Sequence, residues 1–282
     1  MSLSNRARKA WLLLKEQGPH ALFRALSGFV RKRLYRIPQV SETDLAHQVL
    51  SRHFPSGVMV DVGAHHGSAL HPFAADGWQV IAFEPDDRNR SILQQQHGSN
   101  PRISIDPRGL SDEERGGVAF FTSNISTGIS GLSAFHQSHK ESQRIDITTL
   151  RIALQQKNIN RVDFLKIDTE GFDFAVLRGL DWQVSAPEMI VCEFEDRKTI
   201  PLGYTFHDLA NYLKGKGYQI LVSEWFPIVE YGTSHRWRRF QAYPCELAEP
   251  AAWGNLIAVR QKAIFAELTQ QAETLARQIG SR

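Results

Sequence analysis

A five-residue apolar segment that runs straight into a glycine turn limits the fold more than any other part of the chain: Val58-Met59-Val60-Asp61-Val62, then Gly63-Ala64-His65-His66-Gly67. A run this short and this apolar reads as a strand buried on both faces, followed by a helix over 68–75. The pattern then repeats. Strands are expected at 79–83, 102–106, 118–122, 162–167, 189–194, 218–223 and 256–259, with helices at 86–96, 148–157, 172–180 and 207–216 and a last helix at the C-terminus. Strands alternating with helices at this spacing predict an α/β fold: Rossmann-like, doubly wound, its mainly parallel sheet covered on both faces. Ligands bind such sheets beyond the carboxyl ends of the strands, where the strand order reverses.

The residues at that end have a definite chemistry. Gly63 and Gly67 leave room for a ligand against the backbone, and the following helix offers unpaired N–H groups. Their G-x-x-x-G spacing lacks the G-x-G-x-x-G arrangement that seats a pyrophosphate. Asp61 would repel a pyrophosphate but suits an amino-acid ammonium. The second strand ends Phe83-Glu84-Pro85-Asp86, with Glu84 lying 21 residues beyond Gly63. That is about where an acid grips a ribose diol. Taken singly, Asp61 is as well explained as a helix cap and Glu84 as a solvated loop acid. Their joint placement at strand ends favours S-adenosylmethionine over NAD.

Composition narrows the setting. Cys192 and Cys245 are the only cysteines in 282 residues and give neither a disulfide framework nor metal spacing, so a reducing, cytoplasmic compartment is expected. No apolar run approaches the ~20 residues that span a bilayer. Net charge is only +3, yet residues 1–36 carry nine Lys and Arg against the single acid Glu16, which leaves the rest of the chain acidic. This basic stretch has Leu22, Leu26, Phe29, Val30 and Leu34 at helical spacing. A docked helical segment with a solvated basic face is the favoured reading; an anionic membrane surface is a second partner it suits. Nucleic acid is disfavoured by the acidic body and by the absence of an Asn/Asp-Pro-Pro-Tyr-type site. Three parts are expected: a basic helical extension (1–50), a cofactor-binding domain (51–260) and a C-terminal helix (261–282). Ile264, Leu268, Leu275 and Ile279 of that helix suit packing on the domain or on the second subunit of a homodimer.

The chain resembles the FkbM-type methyltransferases. The likeness rests on Val60 to Gly67, Phe83-Glu84-Pro85, Gly109-Leu110-Ser111-Asp112, Thr148-Thr149-Leu150 and, most specifically, Lys166-Ile167-Asp168-Thr169-Glu170-Gly171. It covers residues 58–194 and continues weakly into 255–259. It implies a seven-stranded-type methyltransferase sheet and O-methylation of a hydroxyl on a sugar, glycan, glycolipid or natural product. The cofactor contacts it implies are Asp61, Gly63, Ala64, His65, Gly67, Glu84, Pro85, Asp86, Gly109, Leu110 and Asp168. His65 stands where the family commonly has Asn. Residues 1–50 and much of 196–255 lie outside the shared pattern and are expected to choose the acceptor.

A hydroxyl is a poor nucleophile, so a positioned base should assist its methylation. Asp168 and Glu170 follow one strand and Glu193 ends the next, which places three acids on one rim. The expectation is that Asp168 and Glu170 shape the pocket, with Glu170 or a histidine, His66 foremost, taking the proton. Acids at a helix start are also stabilising, so Asp168 and Glu170 serve equally well as caps of the 172–180 helix. No His/Asp/Glu group has convincing metal spacing, so no metal is expected. The small polar loop 124–133 suits closure over a ligand. Trp225, Phe226, Tyr231, Trp237 and Tyr243, interspersed with Arg236, Arg238 and Arg239, suit sugar stacking or core packing. A nucleic-acid methyltransferase and a non-catalytic binding protein are the competing classes.

Overall fold

The computed structural model describes residues 40–231 and 233–280. The basic segment 1–36, with its expected helices and membrane surface, lies outside the described residues. One compact unit spans Val40–Ala276. It begins ahead of the boundary expected at residue 51, because helix α1 (Glu42–His53) is part of the body. Ser41 caps α1 by accepting from the Asp44 N–H, and Leu45, Ala46, Val49 and Leu50 are buried.

Eight strands form the central sheet: β1 (Val58–Val62), β2 (Gln79–Phe83), β3 (Ile103–Asp106), β7 (Phe164–Ile167), β8 (Met189–Glu195), β9 (Gln219–Trp225), β10 (Trp237–Ala242) and β11 (Trp253–Val259). Their order is β10-β9-β11-β8-β7-β1-β2-β3. β3, β2, β1, β7 and β8 pair in parallel, β11 runs antiparallel to both β8 and β9, and β10 is antiparallel to β9. The chain moves from β1 outward to β3, then returns to place β7 on the other side of β1. The order therefore reverses between β1 and β7. The expected sheet is present, with β10 added along one edge.

Alternation sorts the side chains onto two faces. Val60, Val62, Ile81, Phe83, Leu165 and Ile167 meet α4 (Leu150–Gln156), α5 (Asp173–Arg178) and α7 (Phe206–Gly215) through Leu154, Val176 and Leu209. Met59, Val80, Phe164, Met189 and Ile257 meet α1, α2 (His71–Ala75), α3 (Asp87–His97) and α8 (Lys262–Gly280) through Val49, Phe73, Leu93 and Leu268. Each such side chain contributes roughly 1.5–3 kcal/mol. Ile264, Leu268 and Ala272 of α8 are buried in this second core, whereas Leu275 and Ile279 are only partly buried.

A second sheet, in the order β4-β6-β5, combines β4 (Gly109–Ser111), β5 (Arg115–Thr122) and β6 (Lys140–Thr149). Only β5 has a counterpart in the sequence pattern. β6 runs directly into α4, and Thr149 caps that helix by accepting from the Ile152 N–H. The helix expected from residue 148 thus starts at Leu150. Among the described residues no helix is long and apolar enough to cross a membrane.

Candidate active site

A cavity of about 480 Å³ opens at the carboxyl ends of β1, β2 and β7, beside the point where the strand order reverses. Its floor is the turn after β1. Gly63 has φ +75°, and a Cβ there would sit 2.0 Å from the Asp168 carbonyl oxygen, so only glycine lets the two strand ends close together. His65 follows in the left-handed region, φ 51°. Such strain in a non-glycine residue tends to persist at functional sites. Gly63, Ala64 and His65 all line the cavity. Gly67 does not; its φ of +83° brings the turn against His97 and Leu93 of α3, so its work is packing.

Glu84 lines the cavity and is nearly buried. Its carboxylate accepts from the His65 N–H at 2.7 Å and the Asp86 N–H at 2.9 Å, which ties the β1 and β2 turns together. Burial pushes its pKa up to about 7, although both N–H groups pull it down. Pro85, Gly109 and Leu110 also line the cavity, with Phe83 and Val62 as further apolar wall. Asp86 lies outside it, accepting from Arg88 and from Ser130 Oγ at 2.9 Å.

Asp61 was expected to face a ligand ammonium and instead receives one from its own chain. The β1–β7 register sets Asp61 opposite Lys166, whose Nζ lies 3.4 Å from Asp61 Oδ1, 3.4 Å from Asp168 Oδ2 and 3.0 Å from the Gly63 carbonyl, to which it donates. Burial raises the Asp61 pKa and Lys166 lowers it in opposition. Burial also works against the Lys166 ammonium, yet Asp61 and Asp168 outweigh it and hold Lys166 above the usual lysine range. Lys166 and Asp168 both line the cavity; Asp61 lies below them.

The other acids of the rim are not in the cavity. Glu170, with φ 56°, is buried, and its Oε2 lies 2.6 Å from Lys198 Nζ. Glu193 and Glu195 reach the same ammonium at 3.3 and 2.8 Å. Burial raises Glu170 to about 7, against the pull of Lys198, and takes Glu193 well above the usual carboxylate range. Asp168, Glu170 and Glu193 each bring a carboxylate oxygen within 4.8 Å of the others. Neither Asp168 nor Glu170 caps α5, whose N-cap position, Phe172, makes no side-chain cap. Asp173 organises that turn instead. It accepts from Thr169 N–H and Oγ and, 2.9 Å away, from the Glu193 N–H.

His66 stacks on His65 at 3.7 Å and contacts Asn89 Oδ1 through Nε2, 3.2 Å away; it does not line the cavity. His65 does, and burial, reinforced by His66, lowers its pKa to about 4, which leaves the ring neutral at pH 7. The loop 124–133 covers the site. Thr127 Oγ1 is 2.8 Å from His65 Nε2, Asn89 donates to the Thr127 carbonyl, and Thr127, Gly128, Ser130, Gly131 and Leu132 line the cavity. The first turn of α1, residues 41–44, lines it too. None of the aromatic and arginine set of the 225–243 region lines the cavity: Arg236 and Arg238 flank the Phe226 ring, Arg239 binds Glu224, and Tyr231 lies 5.9 Å from Lys198 Nζ, behind the rim acids. Lys198, Asp173 and residues 41–44 carry no motif of their own; Lys198 and Asp173 combine near neighbours with a partner on another element, Glu170 and the Glu193 N–H.

Residues 61–220 match the Methyltransferase FkbM domain. Among curated proteins the chain is similar to AMB antimetabolite synthetase AmbE of Pseudomonas aeruginosa, 24% identical over 257 residues, which cover 77% of this chain and 12% of that protein. Among solved structures it is similar to methyltransferase FkbM from Methylobacillus flagellatus KT, at 18% identity and a TM-score of 0.43, covering 73% of this chain and 44% of that one. TehB from Haemophilus influenzae is similar at 10% identity and a TM-score of 0.42, over 82% of this chain and 66% of that one. The chain thus spans less than half of the first of these structures and a small part of the curated relative. The domain match extends over more than half of the chain, and the chain belongs to the FkbM methyltransferase family.

Proposed function

We propose that the enzyme methylates a hydroxyl oxygen of a sugar, glycan or natural-product acceptor, with S-adenosylmethionine held in the cavity beside Asp168. The residues present fit that cofactor. The cavity is of ligand size, Phe83 and Leu110 supply apolar wall, and Glu84 presents a carboxylate where a ribose diol would be gripped. S-Adenosylmethionine supplies, when bound, a methyl group already activated on a sulfonium. The chain's own task is then to exclude water, align the acceptor and take the hydroxyl proton.

The observation that carries this reading is the position of Asp168. Of the three rim acids, it alone lines the cavity, its side chain is 45% exposed, and Lys166 holds it from below. We assign Asp168 as the proton acceptor, with Glu170 and Glu193 behind it. The relative AmbE is named for antimetabolite synthesis, which suits a natural-product acceptor. Glycan, lipid and small-metabolite masses should be compared between cells with and without the protein, looking for one missing methyl group. Calorimetry with S-adenosylmethionine tests the cofactor half; absence of binding sinks the proposal. Asp168→Asn should keep the fold and cofactor binding and lower turnover at least 100-fold, in line with the general-base contribution of roughly 10²–10⁴. Full turnover in that variant removes Asp168 from its role.

A further inference from the structure

Lys198 has no part in cofactor binding, yet it is the most enclosed cation of the site, its side chain 3% exposed. It sits on α6 (Asp196–Thr199), just past β8, and its side chain folds back over the strand end. An ammonium has three N–H donors. Here three carboxylates meet it, Glu170 at 2.6 Å, Glu195 at 2.8 Å and Glu193 at 3.3 Å. The rings of Phe135 and Tyr231 lie 5.1 and 5.9 Å from the same nitrogen and close the remaining side. Nζ donates a hydrogen bond to Glu193 Oε2 and is within ion-pair distance of the other two, so three carboxyl groups and two aromatic faces surround one cation.

Three carboxyl groups brought this close are stable only when protonated or set around positive charge, because an uncompensated buried anion is costly. Two carriers of that charge are available in principle: a divalent cation bound by oxygen ligands, or an ammonium from the chain. The spacing suits the first in part, since Glu170 and Glu193, two of the acids on Lys198, have oxygens within 4.8 Å of each other and of Asp168. The second is what the chain supplies. Glu170 is held in the left-handed backbone region, φ 56°, a costly conformation for a residue with a side chain, and so delivers its carboxylate to Lys198. The left-handed backbone at Glu170, the three close carboxyl groups and the aromatic lid all serve the ammonium.

We propose that Lys198 is the resident cation of the methyl-transfer rim, a positioning residue that holds Glu170, Glu193 and Glu195 behind Asp168 and fills the place a divalent metal would take. It acts through these acids and does not touch the cavity. Phe135 lies in the β5–β6 connection and Tyr231 in the β9–β10 connection, so Lys198 also ties those loops to the reacting end of the sheet. The inference rests on reading the cavity as the methyl-transfer site.

The test uses Mn²⁺ as the probe, followed by electron paramagnetic resonance and calorimetry on the full chain. The wild-type protein is expected to show no saturable Mn²⁺ binding at the rim. Lys198→Met, which keeps the apolar stem, and Lys198→Ala, which opens the cage, should each bind one Mn²⁺ saturably, at least tenfold more tightly than the upper limit set by the wild-type titration. Adding Glu170→Gln to either variant should abolish that gain. A merely structural lysine would leave Mn²⁺ affinity unmoved. One Mn²⁺ bound by the wild-type chain and lost in Glu170→Gln overturns the proposal without any lysine variant. So does a folded Lys198→Met protein that gains no affinity. S-Adenosylmethionine calorimetry on each protein separates the two readings: failure of wild type to bind it defeats the methyl-transfer site, while intact binding with the wrong Mn²⁺ pattern defeats only the role of Lys198.

Discussion

Gly63 and Glu84 show how single residues set the site. Gly63 combines a left-handed backbone with a position where an added Cβ would sit 2.0 Å from the Asp168 carbonyl oxygen. Gly63→Ala is therefore expected to cost at least about 1–2 kcal/mol from backbone strain alone and to weaken S-adenosylmethionine binding, since the β1 turn and Asp168 must move apart. Urea unfolding and calorimetry check both parts. Glu84 predicts a pH dependence. Its folded pKa of about 7 stands above the ordinary 4.5, so between those values the folded state holds a proton that the unfolded state has released. Stability must then fall as pH rises from about 4.5 to 7 and level off above. Glu84→Gln removes this contribution, so its melting temperature should decline less than that of wild type across the window. An unchanged slope would place the proton elsewhere. The sequence marked Glu84 through its strand-end position. It could not show that Asp61 pairs with Lys166, because that contact depends on the register of two strands about a hundred residues apart.

At the scale of elements, the six-residue α5 is too short to be stable alone and has no side-chain cap. It is held in place from outside. Asp173 accepts from Thr169 on one side and from the Glu193 N–H of β8 on the other, and its burial raises its pKa to about 6. Asp173→Ala strands these buried donors, each worth about 1–3 kcal/mol when left unpaired. A loss of roughly 2–4 kcal/mol in urea denaturation is expected, against little change if water replaces the carboxylate. Strand legibility followed periodicity. β1, β2 and β7 are apolar runs and were legible. β6 begins Lys140-Glu141-Ser142-Gln143-Arg144, with only Ile145 and Ile147 buried among its apolar residues, so it reads as polar chain. β10 is half-buried at most positions and shows no alternation, and β4 has only three residues. Such strands form because a neighbour offers hydrogen bonds, which local pattern does not record.

Across the whole molecule, stability is unevenly distributed. The central sheet is buried on both faces, whereas the β4-β6-β5 sheet has a core of Phe120, Ile145 and Ile147 with partly buried Val118 and Leu132. Hydrogen exchange should therefore proceed first in β5 and β6 and last in β1, β7 and β8. S-Adenosylmethionine should slow exchange in the 127–131 loop, which lines the cavity through contacts with His65 and Asn89. Equal protection of both sheets would contradict this order. The sequence by itself determined the α/β class, the nucleotide end of the sheet, the Glu84 position and the family, because each follows from local apolar period or from residues adjacent in the chain. Only the tertiary structure decided which acids face the cavity, and this returns to the turn from which the fold was read. Asp61, at the end of β1, is turned onto Lys166, Glu170 and Glu193 onto Lys198, and Asp168 alone of the rim is left open. Buried charges choose their partners by proximity in space, and that proximity is a property of strand order and register, not of spacing along the chain.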